Sequence, residues 1–109
     1  MSEENFKKRQ ARYVTRGINE RLSVSMQIIL WDLIDELKKV KKLDYLQIFE
    51  LETIGSQIEG NLIQVITHSQ EQPKYRKIWY IPTMEEGMTG KIYIIDDGEY
   101  ATMLWADEY

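Results

Sequence analysis

His68 is the single histidine of the chain and stands in Thr67-His68-Ser69-Gln70-Glu71. An imidazole near a hydroxyl and a carboxylate is raw material for general-base and nucleophilic chemistry. Such a relay needs an exposed nucleophile and a third group that orients the ring. If this segment is a strand, adjacent side chains point to opposite faces, so His68 and Ser69 cannot meet directly. The residue types therefore point to a structural or surface histidine, with His68, Ser69 and Glu71 as a secondary polar site. Asp96-Asp97-Gly98 brings two carboxylates together, but a calcium or magnesium site needs more oxygen ligands at a regular spacing. Asp and Gly instead supply the local hydrogen bonds and positive φ of a hairpin turn. Glu50 and Glu52 share one face of a strand and alternate with Phe49 and Leu51, which reads as a solvent-facing edge. With no cysteine there is no thiol nucleophile, disulfide or Cys-based zinc site. None of the six glycines falls in a phosphate-loop spacing. No catalytic, cofactor-binding or metal-ligating residue is assigned, and no cofactor is expected.

Charge offers a different kind of chemistry. The formal net charge is −4, yet it is unevenly placed. Lys7, Lys8, Arg9, Arg12, Arg16 and Arg21 crowd the beginning, against Glu3, Glu4 and Glu20. Glu85, Glu86, Asp96, Asp97, Glu99, Asp107 and Glu108 crowd the end, against Lys91 alone. The basic segment, with Phe6 and Tyr13 interleaved, resembles a short arm that contacts nucleic-acid phosphates. An acidic chain as a whole argues against that use, and two solvated ends, or ends that attract one another, account for the asymmetry more simply.

The elements that must position these groups follow from periodicity. Residues 1–11 read as a flexible basic arm and residues 12–109 as a single domain, since 109 residues bury one core. Arg12 to Arg16 reads as a short strand ended by Gly17. Ser23 is a helix N-cap, and the helix runs to about Lys41 with a basic last turn. At 100° per residue, Met26, Ile29, Leu30, Leu33, Ile34, Leu37 and Val40 fall on one arc, the face expected to cover a sheet. Val24, Ile28 and Trp31 line up on nearly the opposite side. A helix that only covered a sheet would not need them, so they form a candidate interaction surface unless the segment with Phe6 and Tyr13 covers them.

Strands follow at Tyr45–Thr53, Leu62–Gln70, Lys74–Ile81, Lys91–Ile95 and Tyr100–Trp105, with loops at Ile54–Asn61, Glu71–Pro73, Met84–Gly90 and Asp96–Gly98. Neither face of the later strands is wholly polar. Ile92 and Ile94 oppose Tyr93 and Ile95; Ile78 and Tyr80 oppose Trp79 and Ile81. One helix covers one face, so the other must curl, be covered by loops or meet another chain. The fold class is α+β, one main amphipathic helix on a mostly antiparallel sheet of five to six strands. The longest apolar run, Ile28-Ile29-Leu30-Trp31, is far short of the roughly 20 residues of a membrane span. The first residues lead into no apolar run either, and a cytoplasmic location is expected.

Several blocks together resemble a known family of small proteins. Tyr13-Val14-Thr15-Arg16-Gly17, Asp44 to Leu51, Thr67 to Glu71 with Pro73, Ile94 to Gly98, and Ala101 to Leu104 with Ala106 to Tyr109 are similar to domain-of-unknown-function family 960. That family occurs in staphylococci, streptococci and related Firmicutes. The resemblance implies a bacterial cytoplasmic single-domain protein and carries no activity with it. The functional expectation is a non-enzymatic protein-interaction module, with a homodimer or another protein as partner and no membrane. The alternatives are an enzyme of unknown class using His68 with nearby carboxylates, or nucleic-acid binding through the basic arm.

Overall fold

The computed structural model describes residues 4–55, 60–83 and 87–109. The chain forms β1 (Ala11–Val14), α1 (Arg16–Arg21), α2 (Val24–Lys38), β2 (Leu46–Ile54), β3 (Ile63–Gln70), β4 (Tyr75–Pro82), β5 (Gly90–Asp96) and β6 (Tyr100–Trp105). A short 3-10 turn over Ala106–Glu108 follows. The strands make one six-stranded sheet in the order β1-β6-β5-β2-β3-β4. Every pairing is antiparallel except β1 with β6, which is parallel. This is an α+β fold with one main helix and a mostly antiparallel sheet, as the periodicity implies.

Local chemistry explains where the elements start and stop. Ser23 caps α2, its side chain accepting the Met26 N–H at 3.2 Å. Thr15 caps α1 in the same way, accepting the Ile18 N–H at 3.2 Å. Gly17 therefore lies inside a helix and does not end a strand; β1 stops at Val14. The β5–β6 hairpin also closes differently. Asp97 N–H donates to Tyr100 C=O at 2.9 Å, so Gly98-Glu99 forms the two-residue loop. Gly98 has φ +99°, a conformation that favours glycine. The sequence-predicted loops at Ile54–Asn61 and Met84–Gly90 lie partly outside the described residues.

The core sits between the helices and the inner face of the sheet. Met26, Leu30, Ile34 and Leu37 of α2 pack on Phe49, Leu51, Ile66, Ile92, Ile94 and Met103. Burying each of these apolar side chains is worth roughly 1.5–3 kcal/mol. Ile29 and Leu33 are only half-buried, and Val40 is 81% exposed because α2 ends at Lys38. Gln27, which the apolar arc omits, is buried and donates to Leu22 C=O at 3.0 Å.

Within the segment expected to be an arm, residues from Asn5 onward make contacts with the domain. Phe6 is 1% exposed and belongs to the core. Its N–H donates to the Asp96 carboxylate, its C=O accepts from Lys38 Nζ, and Asn5 Nδ2 donates to Leu43 C=O at 3.0 Å. The phenyl ring supplies the burial energy that a wholly polar arm would lack.

Candidate functional site

His68 lies on the inner face of β3, 1% exposed. Its ring stacks on Phe49 at 4.3 Å between centroids and meets Tyr75 edge-on at 5.5 Å. Nε2 is 2.7 Å from Gln47 Oε1. The Gln47 amide nitrogen already donates to Gln70 Oε1 at 2.7 Å and to Asp44 C=O at 2.9 Å. Gln47 Oε1 is thus the acceptor and His68 Nε2–H the donor, which fixes the neutral tautomer. Gln70 in turn accepts the Asp44 N–H at 3.0 Å and donates to Lys42 C=O and Pro73 C=O. This buried chain of side chains ties the exit of α2 to β2, β3 and the turn after β3. Burial lowers the His68 pKa from its usual 6.5 to about 4.

Ser69 lies on the opposite face of the same strand and Glu71 is exposed in the following turn. The three residues are not brought together, and the ring is stacked into the core on Phe49 and Tyr75. Among the described residues no group of three or more His, Asp or Glu is placed to hold a metal ion. Nor is any helix there long and apolar enough to cross a membrane.

The stripe on α2 divides. Val24 and Ile28 are 68% and 55% exposed. Trp31 is half-buried beneath the Arg12 guanidinium, 4.8 Å from its ring centroid. Arg12 also grips Asp35, one nitrogen to each carboxylate oxygen. The cover comes from β1, but not from the residues first suspected: Phe6 is in the core, and Tyr13 faces the other side, edge-on to Tyr100 at 5.5 Å.

The larger apolar surface is the outer face of the sheet. Phe49 and Leu51 point inward, so Ile48, Glu50 and Glu52 point out, and the same alternation runs through the neighbouring strands. Ile48, Val65, Ile78, Tyr93, Ile95 and Leu104 lie there half-buried. Among the described residues the turn over Ala106–Glu108 touches β5, and the Tyr109 ring stands edge-on to Tyr93 at 5.8 Å, so the C-terminus covers part of this face. β2 is a central strand, so Glu50 and Glu52 lie on an open face rather than at an edge. Glu50 stands directly opposite Lys91 in the register.

The charged ends do meet. Arg21 approaches Asp107 at 3.7 Å and lies 4.2 Å from the Trp105 ring centroid. Thr15 Oγ1 donates to Glu108 Oε1 at 2.9 Å. Asp96, read as a turn residue, is also the anchor for the N-terminal segment: besides Phe6 N–H it accepts from Gln10 Nε2 at 2.8 Å and Gly98 N–H at 2.6 Å. Phe6 and Arg9 have φ +57° and +67°. Left-handed backbone costs a non-glycine residue roughly 1–2 kcal/mol, so these anchors hold the turn against a local penalty. Sequence reasoning missed Gln47, Gln64 and Gln70 as buried residues. The available signal was their two-residue spacing from Phe49, Ile66 and His68, which puts them on the same face. Trp79 Nε1 is buried without a hydrogen-bond partner, and nothing in the structure explains it.

One main helix and a small one packed on a six-stranded, mostly antiparallel sheet define the class of this protein as α+β. The chain belongs to the family described as staphylococcal protein of unknown function (DUF960), which it matches over residues 11–108. It is also similar to a solved protein of unknown function from Enterococcus faecalis, at 25% identity and a TM-score of 0.78. That match covers 99% of this chain and 98% of the other. No curated protein matches the sequence.

Proposed function

We propose that the chain is a non-enzymatic protein-interaction module that docks through the outer face of its sheet, with a second copy of itself as partner. The observation that carries the reading is the belt of apolar side chains across that face, where a solvent-facing sheet would alternate to polar. Strands about 4.8 Å apart and four to nine residues long give a six-stranded sheet a plan area on the order of 600 Å². Side-chain relief brings that close to the roughly 800 Å² per partner of a standard interface.

Charge placement favours self-pairing. A two-fold axis along the β5–β2 boundary would lay each β2 over the partner's β5. Glu50 would then stand over the partner's Lys91, because the two share a register position. The buried, neutral His68 offers no motive for an enzymatic reading. We place the module in the bacterial cytoplasm, a reducing compartment that suits a chain without cysteine.

The test uses a charge swap. Glu50→Lys and Lys91→Glu each put like charges face to face in a homodimer and should weaken it about tenfold. Mixing the two variants restores opposite charges at both positions and should restore association. If the mixture associates no better than either variant alone, this pairing is wrong.

A further inference from the structure

A cleft of about 730 Å³ lies between the turn at residues 6–10 and the C-terminal end of α2. It is lined by six cationic side chains and one carboxylate, Asp35, in a chain whose net charge is −4. Three of the cations are already engaged. Arg12 holds Asp35, Lys38 approaches Glu4 at 3.4 Å, and Lys39 pairs with Glu36 at 2.9 Å. Lys38 and Lys39 also offset the partial negative charge at the end of α2. Lys7, Lys8 and Arg9 have no ion-pair partner among the described residues.

Those three stand on a turn that the fold holds in place. Gln10 N–H closes it on Lys7 C=O at 3.2 Å, and Phe6 and Arg9 adopt left-handed backbone within it. Phe6 and Gln10 are tied to Asp96 at its two ends. Solvated lysines gain nothing from a strained, anchored backbone, whereas cations waiting for an anion gain preorganisation. Arg9 adds a planar fork suited to phosphate oxygens, and the two lysines add point charges.

We propose that this cleft binds a small ligand carrying two or three linked phosphate groups, held by Lys7, Lys8 and Arg9. The volume is that of a small-molecule site, within the roughly 300–1,000 Å³ range of such pockets. A nucleic acid fits less well. With six cations and Asp35 in the cleft of a chain whose net charge is −4, the remainder of the chain is strongly acidic, Asp97 and Glu99 on the β5–β6 hairpin included. An extended polyanion would be repelled there, while a compact one would not. The site is separate from the outer sheet face, so its failure and that of the docking proposal are read independently.

The test is calorimetric titration of the full chain with inorganic tripolyphosphate at low salt. Binding is expected, with affinity falling as salt rises. The triple variant Lys7→Gln/Lys8→Gln/Arg9→Gln should bind at least about tenfold more weakly. Lys74→Gln/Arg76→Gln, in the turn before the distant strand β4 and at its start, should bind as the parent does, and circular dichroism confirms that both variants are folded. No binding to the parent overturns the proposal, as does equal loss in the two variants or no loss in the triple variant. A single-stranded oligonucleotide of about 20 bases binding more tightly than tripolyphosphate also overturns it, and assigns the turn to nucleic acid instead.

Discussion

Replacing His68 with glutamine and measuring unfolding at two pH values isolates the cost of charging the buried ring. Above pH 6.5 the imidazole is neutral in both the folded and the unfolded chain, so it brings no penalty. Between 6.5 and about 4, the unfolded chain takes up a proton that the folded protein refuses. Stability therefore falls as pH falls, by up to about 1.4 kcal/mol per pH unit, and the loss levels off below the folded value. The loss from this residue alone is about 2 kcal/mol at pH 5 and about 3 kcal/mol by pH 4. His68→Gln keeps an N–H to offer Gln47 but loses the stack on Phe49, worth about 1 kcal/mol. Parent protein should thus be the more stable of the two at pH 7 and the less stable at pH 5. Urea unfolding of both proteins at both pH values reads this directly, and the carboxylates common to both cancel in the difference. A parent-minus-variant difference that stays the same within about 0.5 kcal/mol would mean the ring is not held neutral, and the buried network argument fails.

Four further outcomes follow from particular contacts. Phe6→Ala should cost about 3–5 kcal/mol, measured by urea unfolding, because the ring is core and not part of a loose arm. Asp96→Ala should cost about 2–3 kcal/mol, and hydrogen exchange at Phe6 N–H should accelerate far more than at mid-sheet amides. Gly90→Ala should lower the melting temperature, at a cost of about 2 kcal/mol or more. Gly90 has φ +145°, and a Cβ there would stand 2.7 Å from Trp105 Cζ3. Trp31→Glu removes a ring that packs on the core beneath Arg12 and should cost about 2–3 kcal/mol while leaving the solution mass unchanged; a change of mass in the folded variant would move the interface to the α2 stripe.

The elements that sequence made legible are those governed by short-range rules. Alternation placed β3, β4 and β6 within a residue of their ends, and the 3.6 period with Ser23 placed α2. Local patterns say little about α1, six residues long with a glycine inside, or about β1, whose only partner lies some ninety residues away. Val40 fitted the helical arc but lies past the turn where α2 ends. The glutamines of the His68 network were hidden for another reason. Glutamine is usually exposed, and only tertiary partners make its burial tolerable. That the outer face is not wholly polar is legible in the later strands, whereas Trp31 is placed only by Arg12 lying above it.

The claim that the outer sheet face is an interface between copies of this chain is tested most directly by solution mass. Sedimentation equilibrium at about 100 µM should give twice the 13.0 kDa of one chain. Ile48→Glu, at the centre of that face, should sediment as a single chain with unchanged circular dichroism. A parent protein that stays at the mass of one chain, or a folded Ile48→Glu that still dimerises, contradicts the account.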